Sequence, residues 1–270
     1  VRLRISITCA ALALVSIFAV HATPHILNRE QIHSAVFMET VSLPSPGEFF
    51  AAVDKQFQPN WSQLVKPTVP VTTPHREHLA LQLGVLLADG FVAIEAQDGQ
   101  ASKNNGRDVL NLAKKLNVSQ NVLARGKNIS DLADKGDWRT LREELDAMQN
   151  DIRLSMQEQN DYDLLVFLMI GSWIRQMEIA SDLLIKNPIP DATELLVQPA
   201  ILEHLLERLE GLPDKTRANP LPQTFLTRLQ PMKAHMTKGS YAPLDDASVR
   251  DIAATMTSLL HTAAEPPTKP

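Results

Sequence analysis

The densest group of potential metal ligands in the chain is His75-Arg76-Glu77-His78. Histidines three apart can share one face of a helix. A zinc centre needs further ligands, and this is not the arrangement of histidines four apart with glutamate after the first. The same residues fall in the first turn of an expected helix, where exposed polar side chains are ordinary. Glu30-Gln31-Ile32-His33 has the Glu-x-x-His spacing of di-iron bundles. Those centres need a second copy of the motif and two more carboxylates, and the chain has no second copy. Asp98 to Asp108 is rich in oxygen ligands, but a calcium loop counted from Asp98 puts Lys103 where glycine belongs and Val109 where glutamate belongs. The expectation is therefore no metal and no cofactor.

Charges inside apolar segments are more informative. Asp89 and Glu95 lie in one very apolar stretch, and Arg175, Glu178 and Asp182 in another. On a helical wheel Arg175, Glu178, Asp182 and Lys186 share a narrow strip. Asp89 falls with Gln82, and Glu95 falls near Gly84, Ala88 and Phe91. A buried charge needs a partner or its pKa shifts. If the two segments pack together, a buried carboxylate–arginine pair follows, with Glu95 and Arg175 the pair to test by mutation. The arrangement can be a polar site inside a bundle. It can also be a solvated strip plus one satisfied ion pair, the commoner case. Phe91, Trp173 and Met177 would be the apolar lining of a pocket there. The candidate ligand-binding residues are thus Asp89, Phe91, Glu95, Trp173, Arg175 and Met177. No glycine-rich phosphate loop, G-x-S-x-G elbow or pair of cysteines occurs, and no catalytic residue is assigned.

The elements that must position these residues are helices. Ser45-Pro46-Gly47-Glu48 combines a capping serine, proline at the first helical position and glutamate three residues after the cap. A short helix carrying Phe49, Phe50, Val53 and Phe57 should follow, then a turn at Asn60-Trp61. Prolines should keep Val65 to Val71 extended. Residues 23–73 therefore read as a proline-rich arm across a main domain of residues 74–263. That domain should open at Thr73-Pro74 with a helix running to about Asp98 and stopped by Gly99. A loop over Gln100–Asn105 and a helix from Arg107 to Leu116 come next. Ser119 should cap a third helix, with a possible break at Gly126. Asp137 should cap a fourth, in which Trp138, Leu141, Leu145, Met148, Ile152 and Met156 fall within an arc of about 80°.

The fifth helix, Tyr162 to Lys186, is apolar nearly all round and belongs at the centre of a bundle. Later helices are expected from Asp191 to Glu210, restarted or bent at Pro199, from Pro222 to Met236 with a bend at Pro231, and from Asp245 to Ala263. Residues 264–270 read as a disordered tail. The fold expected is all-α, a bundle or helix-pair array of about eight helices. Leu81-Gln82-Leu83-Gly84 and Leu168-Met169-Ile170-Gly171 echo each other. Two buried helices drawing on the same few residue types account for that without a repeat.

Of the 270 residues 44% are hydrophobic, enough for a substantial core, and the net charge is −5. An acidic chain repels phosphate backbones, so a nucleic-acid partner is not expected. Arg2 and Arg4, an uncharged run over residues 5–20 and the compact residues of Val20-His21-Ala22 read as a signal peptide cleaved after Ala22. An uncleaved run would instead anchor the chain in the inner membrane, the one route to a membrane association. Cys9, the single cysteine, lies in that run, so the mature chain would hold no disulfide.

Pro59-Asn60-Trp61, Leu83-Gly84-Val85-Leu86-Leu87-Ala88-Asp89-Gly90-Phe91 and Gly136-Asp137-Trp138 resemble a family of exported bacterial helical proteins. The resemblance implies export to the periplasm or beyond and a helical fold. It implies no catalytic site. The functions to weigh are a non-catalytic periplasmic binding or scaffold protein with another envelope protein as partner, and a carrier of a small apolar ligand. A hydrolase using Asp89, Glu95 or the His75/His78 pair is the third.

Overall fold

A computed structural model describes residues 45–67 and 73–264. The expected signal peptide, residues 23–44 of the arm with the Glu30-Gln31-Ile32-His33 motif, residues 68–72 of the expected extended stretch, and the tail after Ala264 lie outside the described residues. All regular structure among those described is helical, with no strand.

Helix α1 (Pro46–Phe57) begins as its capping box dictates. Ser45 Oγ accepts from the Glu48 N–H, and the Glu48 carboxylate accepts from the Ser45 N–H. Phe49, Phe50 and Val53 are buried, so this part of the arm shares the core. A single turn follows at Trp61–Gln63. Trp61 packs edge-on against Phe50, and its indole N–H donates to Asp54 Oδ1 at 2.9 Å.

Helix α2 (Arg76–Glu95) starts two residues later than Thr73-Pro74 suggests. The Thr73 hydroxyl accepts from the His75 N–H and holds the chain in a turn before the helix. The helix also ends sooner, with Gln97 at a positive φ of 52°. Gly99 then opens a helix where a stop was expected. Asp98 caps α3 (Gly99–Lys115) by accepting from the Ala101 N–H at 2.8 Å. The polar run Gln100–Asn105 is therefore helical, and the buried Asn105 donates to Leu86 O of α2 at 2.9 Å.

Helix α4 (Gln120–Lys135) runs unbroken through Gly126, which packs on the Leu110 side chain. It stops at Gly136, whose φ of 66° suits glycine. Asp137 caps α5 (Trp138–Glu158) by accepting from the Thr140 N–H. Its expected stripe is buried from Leu141 to Met156, whereas Trp138 at its start is only half-buried.

Helix α6 (Tyr162–Lys186) is the central element, as its all-round apolarity requires. It packs on α2, on α5 and on the last helix. Helices α2 and α6 are long and apolar enough to cross a membrane, and most of each is buried inside the protein. A 3-10 segment at Asp191–Leu196 precedes α7 (Pro199–Glu210), with Pro199 starting the new helix. After Gly211 comes a short helix with no clear sequence signal, α8 (Asp214–Arg217). The helix expected from Pro222 to Met236 is two, α9 (Pro220–Leu229) and α10 (Met232–Gly239). Pro231 lacks the N–H that would continue α9. Helix α11 (Asp246–Ala264) closes the bundle against α6.

Candidate functional site at the crossing of α2 and α6

The two apolar helices touch backbone to backbone. A Cβ on Gly84 would lie 2.0 Å from Leu168 O, and a Cβ on Gly171 would lie 2.0 Å from Leu81 O. The two echoing tetrapeptides therefore meet each other at this crossing. Arg76, at the start of α2, pairs with Asp161, just before α6, at 2.7 Å. Further along, Asp89 of α2 pairs with Arg175 of α6 at 2.6 Å. The two helices thus run in the same direction.

Only 2% of the Arg175 side chain is exposed. Its Nε donates to Asp89 Oδ1, one Nη pairs with Glu178, and the other donates to Leu64 O at 3.0 Å. Lys66 Nζ completes the network on Glu178 Oε1 at 2.7 Å. Two cations and two carboxylates balance, and a main-chain carbonyl takes a further guanidinium donor. Burial works against the Arg175 charge, yet the Asp89 and Glu178 carboxylates raise its pKa. Burial pushes the Asp89 carboxyl up, against the pull of Arg175.

Glu95 does not take part. It stands six residues beyond Asp89, roughly 240° round the helix, and pairs with Arg142 of α5. The carboxylate that meets Arg175 is thus Asp89, from the strip assigned to Gln82. Arg142 also donates to Gly47 O of α1 at 3.4 Å. One turn on, burial raises the Asp146 pKa, against the pull of the Ser45 side chain and of Arg142. Arg142 thus ties the first turn of α1 to α5.

The apolar candidates face different neighbours. Phe91 lies against α1, where a Cβ on Gly47 would come within 2.8 Å of its ring. Trp173 donates its indole N–H to Gln198 Oε1 at 2.8 Å, before α7. Phe91 and Met177 have no exposed surface, so no space of water size adjoins either side chain. Of the six candidates only Asp89 and Arg175 meet each other; Glu95 pairs with Arg142, Trp173 bonds Gln198, and Phe91 and Met177 are buried in the core. Lys66 and the Leu64 carbonyl carried no sequence signal, because they come from an irregular strap distant in the chain. Glu178 stood out only as the residue three positions after Arg175.

The His75 and His78 rings are 6.2 Å apart and tilted. Burial lowers the His78 pKa, and the neighbouring His75 lowers it further. Among the described residues no three His, Cys, Asp or Glu side chains gather as a metal ion would require.

Fold and site together define an all-α protein whose central polar feature is an ion-pair network joining two parallel core helices to the strap before them. No protein-family model, curated protein or solved structure matches the chain.

Proposed function

We propose that the chain is a non-catalytic helical binding or scaffold protein of the bacterial cell envelope. The observation that carries this reading is the engagement of Arg175 by Asp89, Glu178 and Leu64 O. The most deeply placed charges hold helices and strap together, and a substrate would have to compete with bonds already made. Glu95 is taken in the same way by Arg142. An apolar ligand beside Phe91 would have to part α1 from α2, where the ring lies against Gly47.

In this reading the chain is exported and cleaved after Ala22, and its partner is another envelope protein. An open groove of about 700 Å³ between Ile185 and the Ala254, Thr257 and Ser258 side of α11 is one surface accessible to it.

The test is native mass spectrometry of protein purified from its own cell envelope, with cross-linking before extraction. A protein free of small ligands and joined to a specific envelope protein is expected. A stoichiometric apolar molecule released on unfolding would overturn the reading in favour of a carrier. Hydrolytic turnover lost in Asp89→Asn, with the fold retained, would overturn it in favour of an enzyme. N-terminal sequencing of the same sample should begin at Thr23, and a chain retaining residues 5–20 would indicate the anchored form.

A further inference from the structure

The strap that closes over Arg175 is held differently at its two ends. At its start Trp61 is buried, packs edge-on against Phe50 and donates its indole N–H to Asp54 Oδ1 at 2.9 Å. That end is fixed to α1. Beyond it Ser62, Gln63, Lys66 and Pro67 are exposed, and Leu64 and Val65 are only half-buried. Two polar contacts join this stretch to α6. Leu64 O accepts from Arg175 at 3.0 Å, and Lys66 Nζ pairs with Glu178 Oε1 at 2.7 Å.

Neither contact is costly to give up. Half of the Lys66 side chain is exposed, and an exposed ion pair contributes little and weakens further in salt. What lies beneath is charged, not apolar. Arg175 is covered, and Asp89 and Glu178 are largely so. Water entering there would solvate ionised groups, whereas an apolar core would resist it. A segment with few buried apolar contacts opens before the whole fold does.

We infer that residues 62–67 are a lid over Arg175, hinged at Trp61 and latched by Lys66 on Glu178, that opens while the helical core stays folded. Opening takes Leu64 O from the guanidinium and Lys66 from Glu178. It leaves the Asp89–Arg175 pair in place across α2 and α6 and brings that pair to solvent. Salt acts on the latch and not on the apolar hinge, so ionic strength sets the open fraction. The lid is independent of the proposed function.

The experiment is modification of the folded, full-length protein by phenylglyoxal, which attacks guanidinium nitrogens, read peptide by peptide in a mass spectrometer. Arg139, whose side chain is 84% exposed, is the internal standard for reagent and salt. Arg175 is expected to react at a rate that low urea leaves unchanged, since local opening exposes little surface and global unfolding much. Its rate relative to Arg139 should rise with sodium chloride. It should also rise in Lys66→Ala, by up to about fivefold, the factor that an exposed ion pair supplies. Protection of Arg175 until urea unfolds the whole chain would overturn the inference. So would a relative rate indifferent to salt or to Lys66→Ala.

Discussion

Gly84 and Gly171 stand in a reciprocal relation. Each points its missing Cβ at the carbonyl oxygen three residues before the other, at the same 2.0 Å. Each also approaches the backbone nitrogen one residue after the other, Ser172 in one case and Val85 in the other. The pair sets how closely the two core helices lie, and hence that Asp89 can reach Arg175.

Gly84→Ala and Gly171→Ala should therefore each destabilise the fold by roughly 3 kcal/mol, the upper range for overpacking. The obstacle is backbone, which cannot rotate aside. Gly126→Ala is the control, because its nearest obstacle is the end of the Leu110 side chain. Better helix propensity, about 1 kcal/mol, should offset much of that contact. Urea denaturation of the three variants checks the ranking, and equal losses would contradict it.

Arg175→Ala should cost about 3 kcal/mol, because it leaves the largely buried Asp89 without its cation, while Glu178 keeps Lys66. Replacing both partners, Asp89→Leu with Arg175→Met, should cost less than the single change, since no charge remains on α2 to be stranded there. Lys66→Ala should cost under about 1 kcal/mol, given that half of the Lys66 side chain is exposed. A double-mutant cycle measured by thermal unfolding tests the ordering.

Stability should fall as pH drops below the ordinary histidine range. Burial lowers the pKa of both His78 and His204 in the folded protein. The unfolded chain then binds more protons between the folded values and about 6.5, so acid favours unfolding. The loss begins as pH falls through the unfolded value and levels off once the folded values are passed. Denaturation midpoints measured from pH 8 to 5 should show it, and His78→Gln with His204→Gln should flatten that part of the profile.

Asp98→Ala should remove the cap of α3 and cost about 1 kcal/mol. Amide exchange should quicken first at Ala101, whose N–H Asp98 accepts. Slow exchange there in the variant would mean that α3 is held by its packing alone.

The sequence made the helices legible wherever a local signal was complete. The Ser45 capping box, the Asp137 cap and the stripe from Leu141 to Met156 all take the form expected of them. It misled at Gly99, where glycine reads as a stop although Asp98 before it is the stronger start signal. The polar run after it forms a helix because Asn105 finds Leu86 O on α2, a partner invisible in the linear chain. Prolines marked breaks at Pro199 and Pro231, but α8 had neither a periodic stripe nor a distinctive cap. At the candidate site, the need of a buried charge for a partner was legible from Arg175 inside an apolar helix. The identity of that partner was not.

By itself the sequence determined an all-α chain, the central place of Tyr162–Lys186 and the need for an arginine–carboxylate pair. Those follow from helical periodicity, local caps and the cost of burying charge. Only the tertiary structure decided that Asp89 meets Arg175, that Glu95 turns to Arg142, and that Leu64 and Lys66 close the network. A wheel fixes the angle of each side chain round its own helix. Which neighbour lies at that angle depends on how the helices cross, and the crossing is set where Gly84 and Gly171 let two backbones touch.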